Sequence, residues 1–119
     1  MGLAHEVLGC FTAYEAALVS GDAAATDAWF ADDTRTVRFG IGEEQWGADQ
    51  IRRWRREAAP LPAGRRLMNT RVDVWADNLA VVTTLFAYPR SSSVGRQSQT
   101  WLRTGGGWRI VHAHVSQRP

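Results

Sequence analysis

Along residues 3–19 apolar side chains return at three- and four-residue steps: Leu3, Val7, Cys10, Phe11, Tyr14 and Leu18. That spacing predicts one amphipathic helix, with Tyr14 on its buried stripe. Ser20 and Gly21 end it, and Asp22 is placed to cap a second, short helix running through Ala28, Trp29 and Phe30. The segment "ADDT" then turns into a first strand, Thr36 to Gly40. Glycines at 40, 42 and 47 break the following stretch into a bent, hairpin-like excursion. Asp49 is expected to cap a third helix from Gln50 to Ala59, halted by "PLP" at 60–62.

Alternating, strand-like runs follow in quick succession: Arg65 to Trp75, Leu79 to Tyr88, Gly95 to Thr104 and Trp108 to Gln117. "ADN" and "TGGG" read as tight turns, and "PRSSSVG" as a looser polar connection. Helices gathered early and strands gathered late predict an α+β fold, not alternating βαβ units. The expected architecture is a single domain over 1–119, with a curved antiparallel sheet packed by one face on three helices.

Composition narrows the partners more than the fold. Hydrophobic residues make up 45% of the 119 positions and charged residues 22%, ordinary values for a folded domain. No apolar run approaches the roughly 20 residues of a spanning helix, so no membrane partner is expected. The lone cysteine, Cys10, excludes a disulfide within the chain and points to a reducing, cytoplasmic setting. Its neighbours Gly9 and Phe11 suggest a small core residue. All 14 basic residues are arginine, which removes Schiff-base chemistry on an internal lysine. A net charge of +2 gives no reason to expect nucleic acid.

The candidate chemistry starts from "TVRFGIGEEQWG", where Arg38 stands between Val37 and Phe39. One face of that strand is apolar and the other carries a guanidinium. If the polar face lines a pocket, the half-desolvated guanidinium needs an anion: Glu43, Glu44 or a ligand carboxylate, which fits its donor fork. Tyr14 either satisfies its hydroxyl locally or points it into the same pocket. In "RRWRRE", the stripe Ile51, Trp54, Ala58 leaves Arg52, Arg53 and Arg56 in solvent and puts Arg55 beside the stripe, within reach of a pocket rim. Trp46 is the tryptophan expected to overhang a pocket, whereas Trp29, Trp75, Trp101 and Trp108 read as core or interface. Gln97 and Gln99 share one strand face, expected to point inward. His112 and His114 share a strand face with Ile110 and Ser116. Two histidines without an accompanying acid or thiolate cluster fall short of a metal site, and no metal is expected.

The ending "GGWRIVHAHVS" resembles that of the SnoaL-like branch of the ketosteroid-isomerase and nuclear-transport-factor superfamily, whose cystatin-like fold is a cone of curved sheet wrapped on helices. With "FTAYEAAL", "RTVRFGIGE" and "GRQSQTW", the chain is similar over nearly its whole length to a bacterial family. That family contains the decarboxylating amidohydrolase of cyanuric-acid breakdown, which converts 1,3-dicarboxyurea to allophanate. The resemblance implies Tyr14 and Arg38 as catalytic residues, no cofactor and a small anionic, urea-like carboxylate as substrate. It also implies a homodimer built on the outer sheet face, where His112 and His114 would then lie. Trp46, Arg55, Gln97 and Gln99 are the expected substrate-binding residues. With no nucleophile, metal set or paired carboxylates in the sequence, the rival reading is a non-catalytic carboxylate-binding module, with an amidase of the same pathway as partner. A ketosteroid-type isomerase is disfavoured, because it uses carboxylates where this chain has Arg38.

Overall fold

A computed structural model describes residues 2–119. The expected α+β architecture is present: α1 (Leu3–Ser20), α2 (Ala23–Asp27), β1 (Val37–Phe39), β2 (Glu44–Trp46), α3 (Ala48–Glu57), β3 (Arg66–Ala76), β4 (Leu79–Ala87), β5 (Val94–Thr104) and β6 (Gly107–Arg118). The strands form one curved sheet in the order β2-β1-β6-β5-β4-β3. Every pairing is antiparallel except β1 with β6, which run parallel. That pair brings the early hairpin against the last strand and closes the cone. Among the described residues no helix is long and apolar enough to cross a membrane.

Local signals account for most boundaries. Gly21 ends α1 in the left-handed conformation, and its N–H and that of Asp22 reach back to carbonyls of the last turn. The Asp22 carboxylate accepts from the Ala25 N–H at 3.0 Å, the expected cap of α2. That helix stops at Asp27, short of Phe30, which instead bridges to Ile110 of β6. The third helix departs from expectation at its start: Gly47 is the N-cap, with φ +96° and no side-chain cap. Asp49 lies in its first turn and pairs with Arg52.

The core lies between α1 and the concave face of the sheet. Val7, Phe11 and Tyr14 meet Ala80, Val82, Trp101, Trp108 and Ile110, with Phe30 and Ile51 closing the ends. Cys10 packs at its edge, half-buried, and burial pushes its thiol pKa up. Each large apolar side chain taken fully out of water here contributes about 1.5–3 kcal/mol.

The phase of β6 differs from simple alternation. Trp101 pairs with Ile110 and Thr100 with His112, so Val111 is an extra, bulged residue. Ile110 therefore points into the core, fully buried, while His112 and His114 lie on the convex face on either side of Phe39. The two-residue period would have put Ile110 with the histidines; one inserted residue reverses that.

On the concave face of β5, Gly95 is paired with Phe86 of β4 and lies beneath its ring. A Cβ there would sit 2.0 Å from the Phe86 Cζ. Gly95→Ala is expected to cost about 1–3 kcal/mol by displacing that ring. Urea unfolding measures it; an unchanged midpoint would mean the ring swings aside freely.

Candidate functional site

The wide end of the cone holds a cavity of about 410 Å³. Its walls come from α1 (Tyr14, Leu18), β1 (Arg38), α3 (Trp54, Arg55), the segment 58–62, and the ends of β4, β5 and β6. The helices place their side chains here by simple spacing. Tyr14 lies three residues after Phe11 on the buried face of α1, and Arg55 lies four after Ile51 on that of α3.

Arg38 projects inward from β1 opposite Gln45 of β2. Its Nη1 donates to Glu43 Oε1 at 2.6 Å and to Gln45 Oε1 at 2.9 Å, and its guanidinium carbon lies 3.8 Å from the Trp54 ring centroid. Only 11% of the side chain is exposed. The face opposite Val37 and Phe39 is thus a pocket wall, and Glu43, not Glu44, is the internal acid. Burial lowers the Arg38 pKa, and the Glu43 hydrogen bond pushes back. Gly40 leaves room for this pair: a Cβ there would lie 1.8 Å from Glu43 Oε1.

Two further arginines have buried acids of their own. Arg55 Nε donates to Asp27 Oδ1 at 2.5 Å, with 9% and 12% of the side chains exposed. Arg65, just ahead of β3, forms a two-pronged pair with Glu15 at 2.9 and 3.2 Å. It also donates to Gln97 Oε1 and to the Tyr88 hydroxyl, and stacks over Phe86. Gln97 completes that network by donating to Glu15.

Tyr14 is 5% exposed, edge-on to Phe30, and lines the cavity. Burial raises its pKa; of the surrounding charges Arg55 acts most strongly, opposing the rise, followed by Glu15 and then Arg38 and Arg65. The phenol is therefore a neutral hydrogen-bond donor among three guanidinium groups. Such a site suits a small ligand that carries carboxylates around a polar carbonyl.

A family profile described as AtzH-like matches residues 2–119. The chain belongs to the AtzH-like family. Among solved structures, this AtzH-like chain is similar to a cystatin-like fold protein from Burkholderia xenovorans, at 41% identity and a TM-score of 0.93, covering 98% of this chain and 93% of that one. It is also similar to a protein of unknown function, of the DUF3225 family, from Pectobacterium atrosepticum: 39% identity, TM-score 0.93, coverage 98% and 91%. A putative ketosteroid isomerase from Parabacteroides distasonis shares the fold at 20% identity and a TM-score of 0.81, over 98% of this chain and 89% of that one. A search of curated proteins finds no match.

Of the residues singled out in this AtzH-like sequence, the cavity brings together Tyr14, Arg38, Arg55 and Gln97. Trp46 is elsewhere. It is 56% exposed on the convex face, edge-on to Phe39, because the β1–β2 register puts it on the side opposite Arg38. The tryptophan in the wall is Trp54 of α3. Gln99 points inward as expected but lies deeper, outside the cavity lining, where it accepts from the Trp101 indole. Glu15, Asp27, Arg65 and Tyr88 were not singled out. Glu15 did carry a signal, an acid beside Tyr14 and four residues after Phe11, against the buried stripe of α1.

Proposed function

We propose that the protein is a cofactor-independent decarboxylating amidohydrolase acting on an N-carboxylated urea, 1,3-dicarboxyurea being the substrate to which the site is best matched. The observation that carries this reading is that Tyr14 and Arg38, far apart in sequence, line one cavity. Membership of the AtzH-like family supports it.

In this reading a carboxylate of the substrate lies against the free edge of Arg38, whose Nη1 is already held by Glu43 and Gln45. The bond between a urea nitrogen and its carboxyl carbon breaks. Its electron pair passes to that nitrogen and is delocalised onto the urea carbonyl oxygen, and the carboxyl group departs as CO2. Tyr14 donates a hydrogen bond to that oxygen as charge builds on it, and a proton taken up from water at nitrogen gives allophanate. An N-carboxylate is labile by itself, so orientation and charge stabilisation suffice.

Carbon-13 NMR of freshly prepared 1,3-dicarboxyurea, with and without the protein, tests this. Accelerated allophanate formation is expected, and Tyr14→Phe, which keeps the ring packing, is expected to slow it by on the order of 100-fold. Decay at the spontaneous rate in every sample would discard the reaction, and saturable binding of unchanged ligand would favour the binding-module alternative. The pH dependence carries a sign. Because burial raises the Tyr14 pKa above its ordinary value near 10, turnover limited by the loss of that proton falls only above pH 10. The same shift makes the phenol's contribution to stability present below pH 10 and lost as pH rises through the folded-state value.

A further inference from the structure

Arg38 and Arg55 approach one aromatic ring from neighbouring elements. Their guanidinium carbons lie 3.8 and 5.2 Å from the Trp54 centroid, which puts them at most about 9 Å apart. Their hydrogen bonding differs. Arg38 Nη1 has two acceptors, Glu43 and Gln45. Arg55 has Asp27 at Nε, while its Nη2 is buried with no acceptor among the described residues. The side chain is nine-tenths buried and forms part of the cavity wall, while the Nη2 atom itself is closed to water. A guanidinium donor left unmatched in such a place is costly to the protein alone, and an anion that enters the cavity relieves it once the fork turns to meet the ligand.

We infer that Arg55 is a second carboxylate-binding residue, and that the site takes a compact dianion, one carboxylate to the free edge of Arg38 and the other to the Nη edge of Arg55. This deepens the proposed function and rests on it only for the identity of the natural ligand. Two carboxyl carbons separated by three atoms lie about 5 Å apart, a span that both forks reach at once. Tyr14, on which Arg55 acts more strongly than any other charge, then faces the middle of the ligand, where the carbonyl of a dicarboxylated urea stands. Loss of one carboxylate removes one of the two anchors, so the monoanionic product is held less tightly than the substrate.

Glutarate and butyrate are suitable probes, since they differ only in the second carboxylate and glutarate has the same three-atom spacing as 1,3-dicarboxyurea. Calorimetric titration is expected to show glutarate binding the native protein at least about tenfold more tightly than butyrate. In Arg55→Lys, which keeps a cation for Asp27 but loses the planar fork, the difference is expected to shrink to about twofold. Asp27→Asn with Arg55→Gln removes both charges together and is expected to give the same loss, which covers a lysine variant that folds poorly. No preference for glutarate in the native protein, or a preference that survives both variants, would overturn the inference. The readout involves no turnover. A glutarate preference that depends on Arg55, without decarboxylation of dicarboxyurea, keeps the dianion site and discards the reaction; turnover without that preference does the reverse.

Discussion

Replacing Arg38 with alanine is expected to lower kcat/KM for 1,3-dicarboxyurea on the order of 1,000-fold, the loss typical of removing a preorganised charged donor from a water-poor site. The geometry makes the effect specific to the fork and not to the charge alone. Glu43, Gln45 and the Trp54 ring fix the plane of the guanidinium, with one nitrogen occupied by the first two and the opposite edge left for ligand. Arg38→Lys keeps the charge but offers a single ammonium centre to Glu43 and ligand alike. It is expected to lose on the order of 100-fold, as for a ligand held out of position. Steady-state decarboxylation, followed by carbon-13 NMR, measures both. The fold is expected to survive, because Glu43 is 29% exposed and can be solvated when its partner is removed. Native-like turnover in either variant would remove Arg38 from the reaction.

How much of this was legible in the sequence depends on whether a feature is local. The helix periodicities, the Asp22 cap, the Gly21 stop and the four long strands were all readable because each is set by neighbours in the chain. The bulge at Val111 was not: one inserted residue exists only relative to the β5 register, and it moves Ile110 from the histidine face into the core. Trp46 was misplaced for a related reason. Its face follows from its pairing with Val37 across a hairpin whose register glycine-rich sequence does not specify. Asp49 carried a valid cap signal, yet Gly47 with its positive φ began the helix earlier. Tyr14 could be placed on a buried face by counting from Phe11, and Arg55 beside the stripe that starts at Ile51. The acids of the buried arginines could not be assigned, because Asp27 and Glu15 meet Arg55 and Arg65 only through tertiary contact, 28 and 50 residues away.

The largest effect on stability is expected at Glu15. Its pair with Arg65 is almost closed to water, with 9% and 4% of the side chains exposed, and Gln97 and Tyr88 are bonded into the same network. Removing one partner leaves the other charge buried. Glu15→Ala is expected to destabilise the protein by about 3–5 kcal/mol, although the residue lies beside the catalytic candidate Tyr14 and not in the middle of the apolar core. Removing both charges is a different matter. Glu15→Leu with Arg65→Met replaces the pair by apolar side chains of similar length, and most of that loss is expected to be recovered, since the attraction between buried ions largely offsets the cost of desolvating them. The Tyr88 and Gln97 groups that faced Arg65 also border the cavity, where water can take its place. Chemical unfolding of the native protein, the single variant and the double variant completes the comparison. A single variant within 1 kcal/mol of native, on the order of a surface pair, would mean that water reaches Arg65 once Glu15 is gone. In that case the inner wall of the cavity is held by packing of Arg65 over the Phe86 ring and not by the ion pair.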